Sequence, residues 1–137
     1  MNNFRKIILN LKDLLLPSLI HMSVDLPVRS KKFGVAIAQY YISFKEKRYY
    51  EVASQLFRSG TSIGANIAEA QNAISKKEFI VKMQIALKEA EESLYRFDIL
   101  EHWFWENIGD LRDECRELVK ILVTILKKTK NNMKNEE

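Results

Sequence analysis

The sequence has few of the residues that punctuate or cross-link a chain. Its 137 residues include four glycines, two prolines and one cysteine. With so few turn residues and no strand-like alternation of apolar and polar side chains, an all-β fold is excluded and helices are favoured. The single cysteine, Cys115, excludes an internal disulfide, and its apolar heptad position in the last predicted helix indicates a buried, inert thiol.

Long apolar runs are also absent. No stretch approaches the roughly 18 apolar residues that span a bilayer. Arg5 and Lys6 precede an apolar stretch near the N-terminus, but Lys12 and Asp13 interrupt it and no small-residue cleavage site follows. We therefore expect a cytoplasmic protein that does not enter a membrane.

Histidine is too scarce for the metal chemistry that a helical bundle can hold. A di-iron bundle needs glutamates on two helices and a Glu-x-x-His motif on each of the other two. The chain has only His21 and His102, and neither follows a glutamate by three residues. Because P-loop, dinucleotide-binding and paired Cys/His or Ser/His patterns are missing as well, we predict no catalytic residues, no metal, no cofactor and no enzymatic activity.

Charge is distributed unevenly along the chain, whose formal net charge is +4. Residues 1–77 hold 12 basic and 5 acidic side chains, residues 78–117 hold 5 and 11, and residues 118–137 hold 5 and 2. The three segments therefore carry +7, −6 and +3. The small total says little about nucleic acid, so the distribution of charge has to be considered instead.

What the sequence does contain is apolar residues at helical spacing. A first core helix begins at Asp25-Leu26-Pro27 or at Ser30 and carries Phe33, Ala36, Ile37, Tyr40 and Phe44 on one face. A change of phase over residues 45–49 predicts a turn without glycine or proline. A second helix follows from about Tyr50 to Ala73.

Two further helices complete the pattern. Ser75 and Glu78 form a capping box, in which each side chain bonds the other residue's amide, and it starts a third helix that reaches Trp105. Apolar residues from Ile108 to Ile125 alternate spacings of three and four in a fourth helix. Short connections make neighbours antiparallel. We predict an all-α, up-down-up-down four-helix bundle over residues 25–130, followed by a disordered tail, 131–137.

The first 24 residues form an N-terminal extension with a helical pattern of its own. Its apolar residues share one face up to a break at Pro17, and they are Phe4, Ile7, Ile8, Leu11, Leu14 and Leu15. Three interpretations stay open: a short helix on the bundle or on a neighbouring subunit, a helix at a membrane surface, or translation that starts at Met22.

The most distinctive stretch, QLFRSGTSIGANIAEA, runs from Gln55 to Ala70. Gly60 and Gly64 lie one turn apart beside its apolar stripe. A glycine inside a helix costs about 1 kcal/mol relative to alanine, so this pair predicts that a neighbouring backbone comes close. A polar stripe on the other flank is suited to hydrogen bonding with another helix or subunit. The predicted oligomer and helix-packing residues are Gln55, Arg58, Ser59, Gly60, Ser62, Gly64, Asn66 and Glu69.

Together with SKKEF at 75–79, this stretch resembles the signature of the four-helix-bundle proteins encoded in 23S rRNA intervening sequences, which are related to the accessory variability protein of diversity-generating retroelements. The matching positions are Gln55, Leu56, Arg58, Ser59, Ser62, Ile63, Asn66, Ile67, Ala68, Glu69, Ser75 and Phe79. The family usually has glycine where this chain has Ala70. The resemblance implies ring-like homo-oligomers of five subunits and an association with rRNA insertions or retroelement RNA.

The antiparallel topology also predicts one basic end. Its members are expected to converge although they lie far apart in sequence, and they are Arg29, Lys31, Lys32, Lys76, Lys77, Lys127, Lys128 and Lys130. Acidic residues gather at the opposite end, and these are Glu101, Glu106, Asp110, Asp113 and Glu114. The basic end is the predicted nucleic-acid site, since lysines and arginines that neutralise phosphates supply sequence-independent affinity.

Two functions of different classes remain open and are compatible. The first is a non-enzymatic oligomeric interaction module whose partner is itself, as a pentamer, or another protein. The second is an RNA- or DNA-binding protein that uses the basic end, with a reverse transcriptase or rRNA as partner.

Overall fold

Four helices make up most of the described chain. The computed structural model describes the backbone of residues 17–103 and 108–137, and their side chains from Leu26 onward. The helices are α1 (Pro17–Glu46), α2 (Tyr50–Gln71), α3 (Lys76–Trp103) and α4 (Gly109–Glu136). Each packs against its neighbours in sequence, and α1 also packs against α4. The predicted all-α, antiparallel four-helix bundle is confirmed.

The interior is filled by one apolar face from each helix. Phe33 of α1 and Phe97 of α3 meet edge to face across the centre, with ring centroids 6.4 Å apart. Burying a side chain of this size is worth about 1.5–3 kcal/mol, so the apolar faces decide how the helices lie. The largest fully buried side chains are Leu26, Phe33, Ile37, Phe44, Leu56, Ile63, Ile67, Phe79, Met83, Phe97, Leu100 and Ile108.

Helix α1 begins earlier than the sequence indicated. The predicted start at Asp25-Leu26-Pro27 or at Ser30 is wrong, because the helix runs without interruption from Pro17 and contains Pro27. Leu26 is fully buried beside this proline, and its burial offsets the backbone donor that the proline removes. The Ser30 hydroxyl donates to the Pro27 carbonyl at 3.1 Å inside the helix instead of capping a new one.

The expected segment boundaries shift accordingly. The division between an extension, 1–24, and the bundle falls inside α1, while residues 1–16 lie outside the described residues. Helix α3 is described as far as Trp103, so its expected end at Trp105 also lies outside them. Helix α4 continues to Glu136 where a disordered tail was expected. Met133 packs against the core there, which gives this last part of the helix a buried contact.

The turn between α1 and α2 works without glycine. Arg48 has φ 65°, a left-handed conformation that glycine usually supplies at the end of a helix. The Tyr49 amide donates to the Phe44 carbonyl at 2.9 Å, which satisfies a carbonyl of the last turn of α1. The ring of Tyr49 also lies against that of Phe44, with centroids 6.5 Å apart. These contacts with the preceding turn hold Arg48 in its unusual conformation.

The capping box at the start of α3 is present with one altered partner. The Glu78 amide donates to Ser75 Oγ at 3.1 Å, as the sequence predicted. The Glu78 carboxylate accepts from the amide of Ile74, at 2.9 Å, and not from the amide of Ser75. Helix α2 ends at Gln71, two residues before the expected Ala73, so the chain has room to place the Ile74 amide above the first turn of α3.

Helix α1 lies unusually close to α2 at the two glycines. A Cβ atom at Gly60 would lie 2.9 Å from the Ile37 side chain, and one at Gly64 would lie 3.2 Å from the Ser30 carbonyl oxygen. At Gly64 the backbone of α1 therefore occupies the space that a side chain would need, whereas at Gly60 the Ile37 side chain occupies it. The close backbone approach that the glycine spacing predicted is confirmed at Gly64.

Substitutions of two glycines should separate close packing from helix propensity. No atom lies within 4 Å of a Cβ built at Gly34, so Gly34→Ala should raise the free energy of unfolding by about 0.5–1 kcal/mol. Gly64→Leu should lower it by about 1–3 kcal/mol, since the Ser30 carbonyl belongs to a helix backbone and cannot move aside. Urea unfolding at one protein concentration measures both. A Gly64→Leu protein as stable as Gly34→Ala would contradict the close contact.

Candidate functional site

The polar stripe of α2 faces α3 of the same chain. At its centre, Ser93 Oγ of α3 lies 2.9 Å from Ser59 Oγ of α2, and both serines are buried. Ser93 also bonds the Glu89 carbonyl at 2.8 Å, and Ser59 the Leu56 carbonyl at 3.4 Å. A buried hydroxyl without a partner costs about 1–3 kcal/mol. This pair therefore favours the one vertical register of α2 and α3 in which the two serines meet.

Charged residues extend the seam on its solvent side. Arg58 of α2 donates to Glu89 at 3.2 Å and to Glu92, while Arg96 donates to Glu92 at 2.9 Å and to Gln55 at 3.3 Å. Hydrogen bonds from Arg58 and then Arg96 hold the pKa of Glu92 below its ordinary value, and the bond to Glu92 raises the pKa of Arg58. The two arginines thus clamp one carboxylate between the helices.

The remaining residues of the polar stripe contact either α3 or the backbone of α2. Glu69 pairs with Lys82 of α3 at 2.5 Å, and this bond raises the pKa of Lys82. Ser62 donates to the Arg58 carbonyl at 2.6 Å and Asn66 to the Ser62 carbonyl at 2.8 Å, so both turn back to α2. Gln55, Arg58, Ser59 and Glu69 therefore reach α3, and Gly60 and Gly64 reach α1.

A second apolar stripe lies on the outside of α1, away from the core. Val28, Val35 and Ile42 repeat every seven residues and are 55%, 55% and 63% exposed. Beside them a groove of about 490 Å³ runs between α1 and α2, with Gly34 and Ala38 in one wall and Gly64, Ala65, Ala68 and Phe57 in the other. We call the three exposed residues and this groove the α1 face. Its heptad spacing is a signal in the sequence from which this face could have been predicted.

Helix α3 exposes apolar residues on another side of the bundle. Val81 is 47% exposed and Tyr95 is 64% exposed, with Ile85 beside them. We call Val81, Ile85 and Tyr95 the α3 face, together with the acidic Glu91 and Asp98 on the same exposed side. Because α1 and α3 are diagonal in the bundle, the two faces point in different directions.

The predicted basic end is only partly present. Lys76 pairs with Glu136 at 2.5 Å, which brings the start of α3 to the end of α4 and places Lys77, Lys127, Lys128 and Lys130 nearby. The convergence of Arg29, Lys31 and Lys32 on this end is wrong. Arg29 instead makes a two-pronged pair, at 3.0 and 2.9 Å, with Glu114 of the predicted acidic end.

The reason lies in the length of α1. Because the helix starts at Pro17 and not near Asp25, Arg29 lies about 18 Å along it, at 1.5 Å per residue. The three basic residues are therefore carried toward the middle of the bundle. At the opposite end Arg112 binds Glu101 and lies 3.7 Å from Asp98, so part of the acidic cluster is paired within the bundle.

Cys115 is buried against the Ala90 carbonyl, 3.4 Å from its Sγ. Burial first, and the charge of Glu114 second, raise the pKa of its thiol to about 12. The predicted burial of this thiol is confirmed, and its raised pKa agrees with the inert thiol that the sequence predicted. In the part of the chain that the structure describes, no three His, Cys, Asp or Glu side chains form a metal-binding group, and no helix has the length and apolarity that crossing a membrane requires.

Comparison with known proteins agrees with this architecture. The family model of the 23S rRNA-intervening sequence protein matches residues 24–124, well over half of the chain. The chain belongs to the 23S rRNA-intervening sequence protein family. The resemblance read from Gln55–Ala70 is thereby confirmed, and the family match spans most of α1, all of α2 and α3 and more than half of α4.

A protein of known structure is similar to this chain. It is a protein of unknown function from the S23 ribosomal protein family of Bacteroides thetaiotaomicron VPI-5482, whose crystal structure has a resolution of 1.70 Å. It is 36% identical to this chain with a TM-score of 0.72, and the alignment covers 74% of this chain and 98% of that one. No curated protein in the comparison matches the chain.

The clamp on Glu92 gives a pH-dependent prediction. Because its folded-state pKa is lowered, its stabilising contribution is present at neutral pH and is lost as pH falls through that pKa. Glu92→Gln should be about 0.5–1 kcal/mol less stable than the parent at neutral pH, and equal to it in strong acid. Urea unfolding at both pH values measures the difference.

Glu91→Gln is the matched control for this experiment. Glu91 is one residue away and exposed, and it has no ion-pair partner among the described residues. When unfolding is measured below the concentration at which copies associate, its substitution should leave stability nearly unchanged at either pH. A loss in Glu92→Gln that persists in strong acid would show that packing, and not charge, holds the seam.

Proposed function

We propose that this chain is a non-enzymatic module that assembles with further copies of itself. The observation that carries the proposal is the pair of exposed apolar faces on α1 and α3. A soluble monomer seldom leaves a heptad stripe such as Val28, Val35 and Ile42 open to water, whereas a helix that packs against another subunit needs one. The hydrophobic cost of exposing these side chains is removed when a second copy covers them.

The polar residues of the seam support a structural role for their stretch. Ser59, Arg58 and Gln55 are engaged by α3, and a group held by such partners is not free to act on a substrate. The family resemblance adds a ring of five subunits as the expected assembly. The same exposed faces would also serve a different protein partner if one competes with self-association.

The assembly proposal has a direct test. Light scattering at micromolar concentration should give a mass several times the 16.1 kDa of the single chain, close to fivefold if the ring forms. The mass should fall on dilution as subunits separate, because the contact is noncovalent. A mass of one chain at every concentration would contradict the proposal.

A second candidate function is binding of RNA or DNA by the basic end. Five lysines favour it: Lys76, Lys77, Lys127, Lys128 and Lys130. Lys76 is paired with Glu136, while the other four have no ion-pair partner in the described part of the chain. In a ring with aligned subunits these lysines would lie on one side, and the affinity for phosphates would grow with each charge added.

Charge reversal separates this candidate from the first. Lys77→Glu with Lys130→Glu should weaken binding to a single-stranded RNA by at least about tenfold and reduce the salt dependence of the binding constant by a slope of about 2. The control, Lys47→Glu with Arg48→Glu, changes the same charge at the other end and should have little effect. Equal losses from both pairs, or no salt-sensitive binding by the parent, would count against a basic-end site.

A further inference from the structure

We propose that Glu136 makes an autoinhibitory contact with Lys76 of the basic end, so that a bound RNA or DNA has to displace this carboxylate before its phosphates reach the lysine. The inference rests on the proposed binding of nucleic acid at the basic end and adds a contact that regulates it. The observation that carries it is the ion pair between Glu136 Oε1 and Lys76 Nζ. These atoms are 2.5 Å apart and join the last turn of α4 to the first turn of α3.

The part of α4 that leads to the basic end carries charge of one sign until Glu136. Residues 118–135 include five lysines and no aspartate or glutamate. The acidic residues of α4 lie before this stretch, from Asp110 to Glu117, and after it, at Glu136. The carboxylate of Glu136 therefore enters an otherwise basic surface at the point where α4 meets the lysines of α3.

Neither charge of this pair is favourable at the end of its own helix. Glu136 is the last residue of α4, where the negative end of the helix dipole opposes a carboxylate. Lys76 is the first residue of α3, where the positive end opposes an ammonium group. The stability of the separate helices therefore does not favour these two residue types, whereas a contact that keeps other anions from Lys76 requires both.

The pair is exposed enough for a phosphate to replace the carboxylate. The side chains of Lys76 and Glu136 are 30% and 59% exposed, so their separation does not disturb the core. Exposed ion pairs contribute little free energy in water, because solvent screens the charges. Displacement of Glu136 should therefore lower the affinity for nucleic acid by only about two- to fivefold.

The contact favours a chain of phosphates over a single anion as the ligand. Because Glu136 belongs to the same subunit, its carboxylate has a high effective concentration at Lys76, and a free anion has to compete with it from solution. A polynucleotide that is already bound by Lys77, Lys127 and Lys130 presents its next phosphate at a high effective concentration as well. The basic end should therefore select polynucleotides over inorganic phosphate.

Removal of the Glu136 charge from the full-length chain tests the inference. Glu136→Gln should bind a fluorescein-labelled single-stranded RNA about two- to fivefold more tightly than the parent in low salt. The slope of the logarithm of the binding constant against the logarithm of salt should steepen by about 0.7, as expected for one further phosphate contact. Fluorescence anisotropy measures both quantities, while circular dichroism and light scattering show that helix content and mass are unchanged.

Two controls separate competition for Lys76 from general repulsion. Glu137→Gln is the matched variant, because Glu137 is adjacent and exposed and has no ion-pair partner among the described residues. It removes the same charge from the same end without releasing a lysine, so its effect measures long-range repulsion alone. In a Lys76→Gln background Glu136 has no lysine to hold, and Glu136→Gln should then raise the affinity no more than Glu137→Gln does.

The outcomes distinguish this inference from the proposed binding of nucleic acid. A gain in affinity in Glu136→Gln that exceeds the gain in Glu137→Gln, and that disappears in the Lys76→Gln background, would establish the autoinhibitory contact. A gain no larger than that of Glu137→Gln, or one that persists without Lys76, would overturn the contact and leave binding at the basic end standing. The absence of salt-sensitive binding by the parent and by every variant would overturn both.

Discussion

The close approach of α1 to α2 is the constraint on which the other features of the bundle depend. Gly60 and Gly64 place no side chain of α2 between the two helices, so the Ile37 side chain and the Ser30 carbonyl lie directly against α2. This contact fixes the position of α1 along the axis of α2, and the Ser59–Ser93 bond fixes the position of α3 along α2 in the same way. It also leaves the groove lined by Gly34 and Gly64, since small residues fill less of the space between neighbouring helices.

Polar contacts join α2 to α3 on one side of the bundle, whereas the outer surface of α1 is apolar. Between α2 and α3, a buried serine pair satisfies two hydroxyls that would otherwise be costly to bury, and Arg58 and Arg96 bind carboxylates on the solvent side. Along the outside of α1, valine and isoleucine meet water without any such partner. The α2–α3 contact stabilises the monomer through directional hydrogen bonds, whereas the outer surface of α1 is apolar surface that another helix can cover.

Sequence patterns predicted the parts of this structure that depend on local chemistry. The glycine pair, the capping box at Ser75 and the apolar faces of the helices were all readable, because each depends on residues within a few turns of one another. The start of α1 could not be read from the sequence, because the burial of Leu26 and Phe33 on either side of Pro27 outweighs the local signal of the proline. The predicted place of Arg29 at the basic end was wrong for the same reason, because the early start of α1 displaces Arg29 along the bundle and toward Glu114. The position of the turn at Arg48 was predicted, but its left-handed backbone conformation was not. That conformation is held by contacts between Tyr49 and Phe44 and not by the residue type at position 48.

The burial of Cys115 makes its alkylation rate a measure of how often the bundle opens. Because burial raises the pKa of this thiol to about 12, it keeps its proton at neutral pH even before access is considered. The sulfur also lies between α3 and α4, against the Ala90 carbonyl, where an alkylating reagent cannot reach it. Alkylation must therefore wait until these helices separate. The alkylation rate under native conditions then measures how often α3 and α4 separate. No cysteine has to be introduced or removed for this experiment, because the chain has no other cysteine.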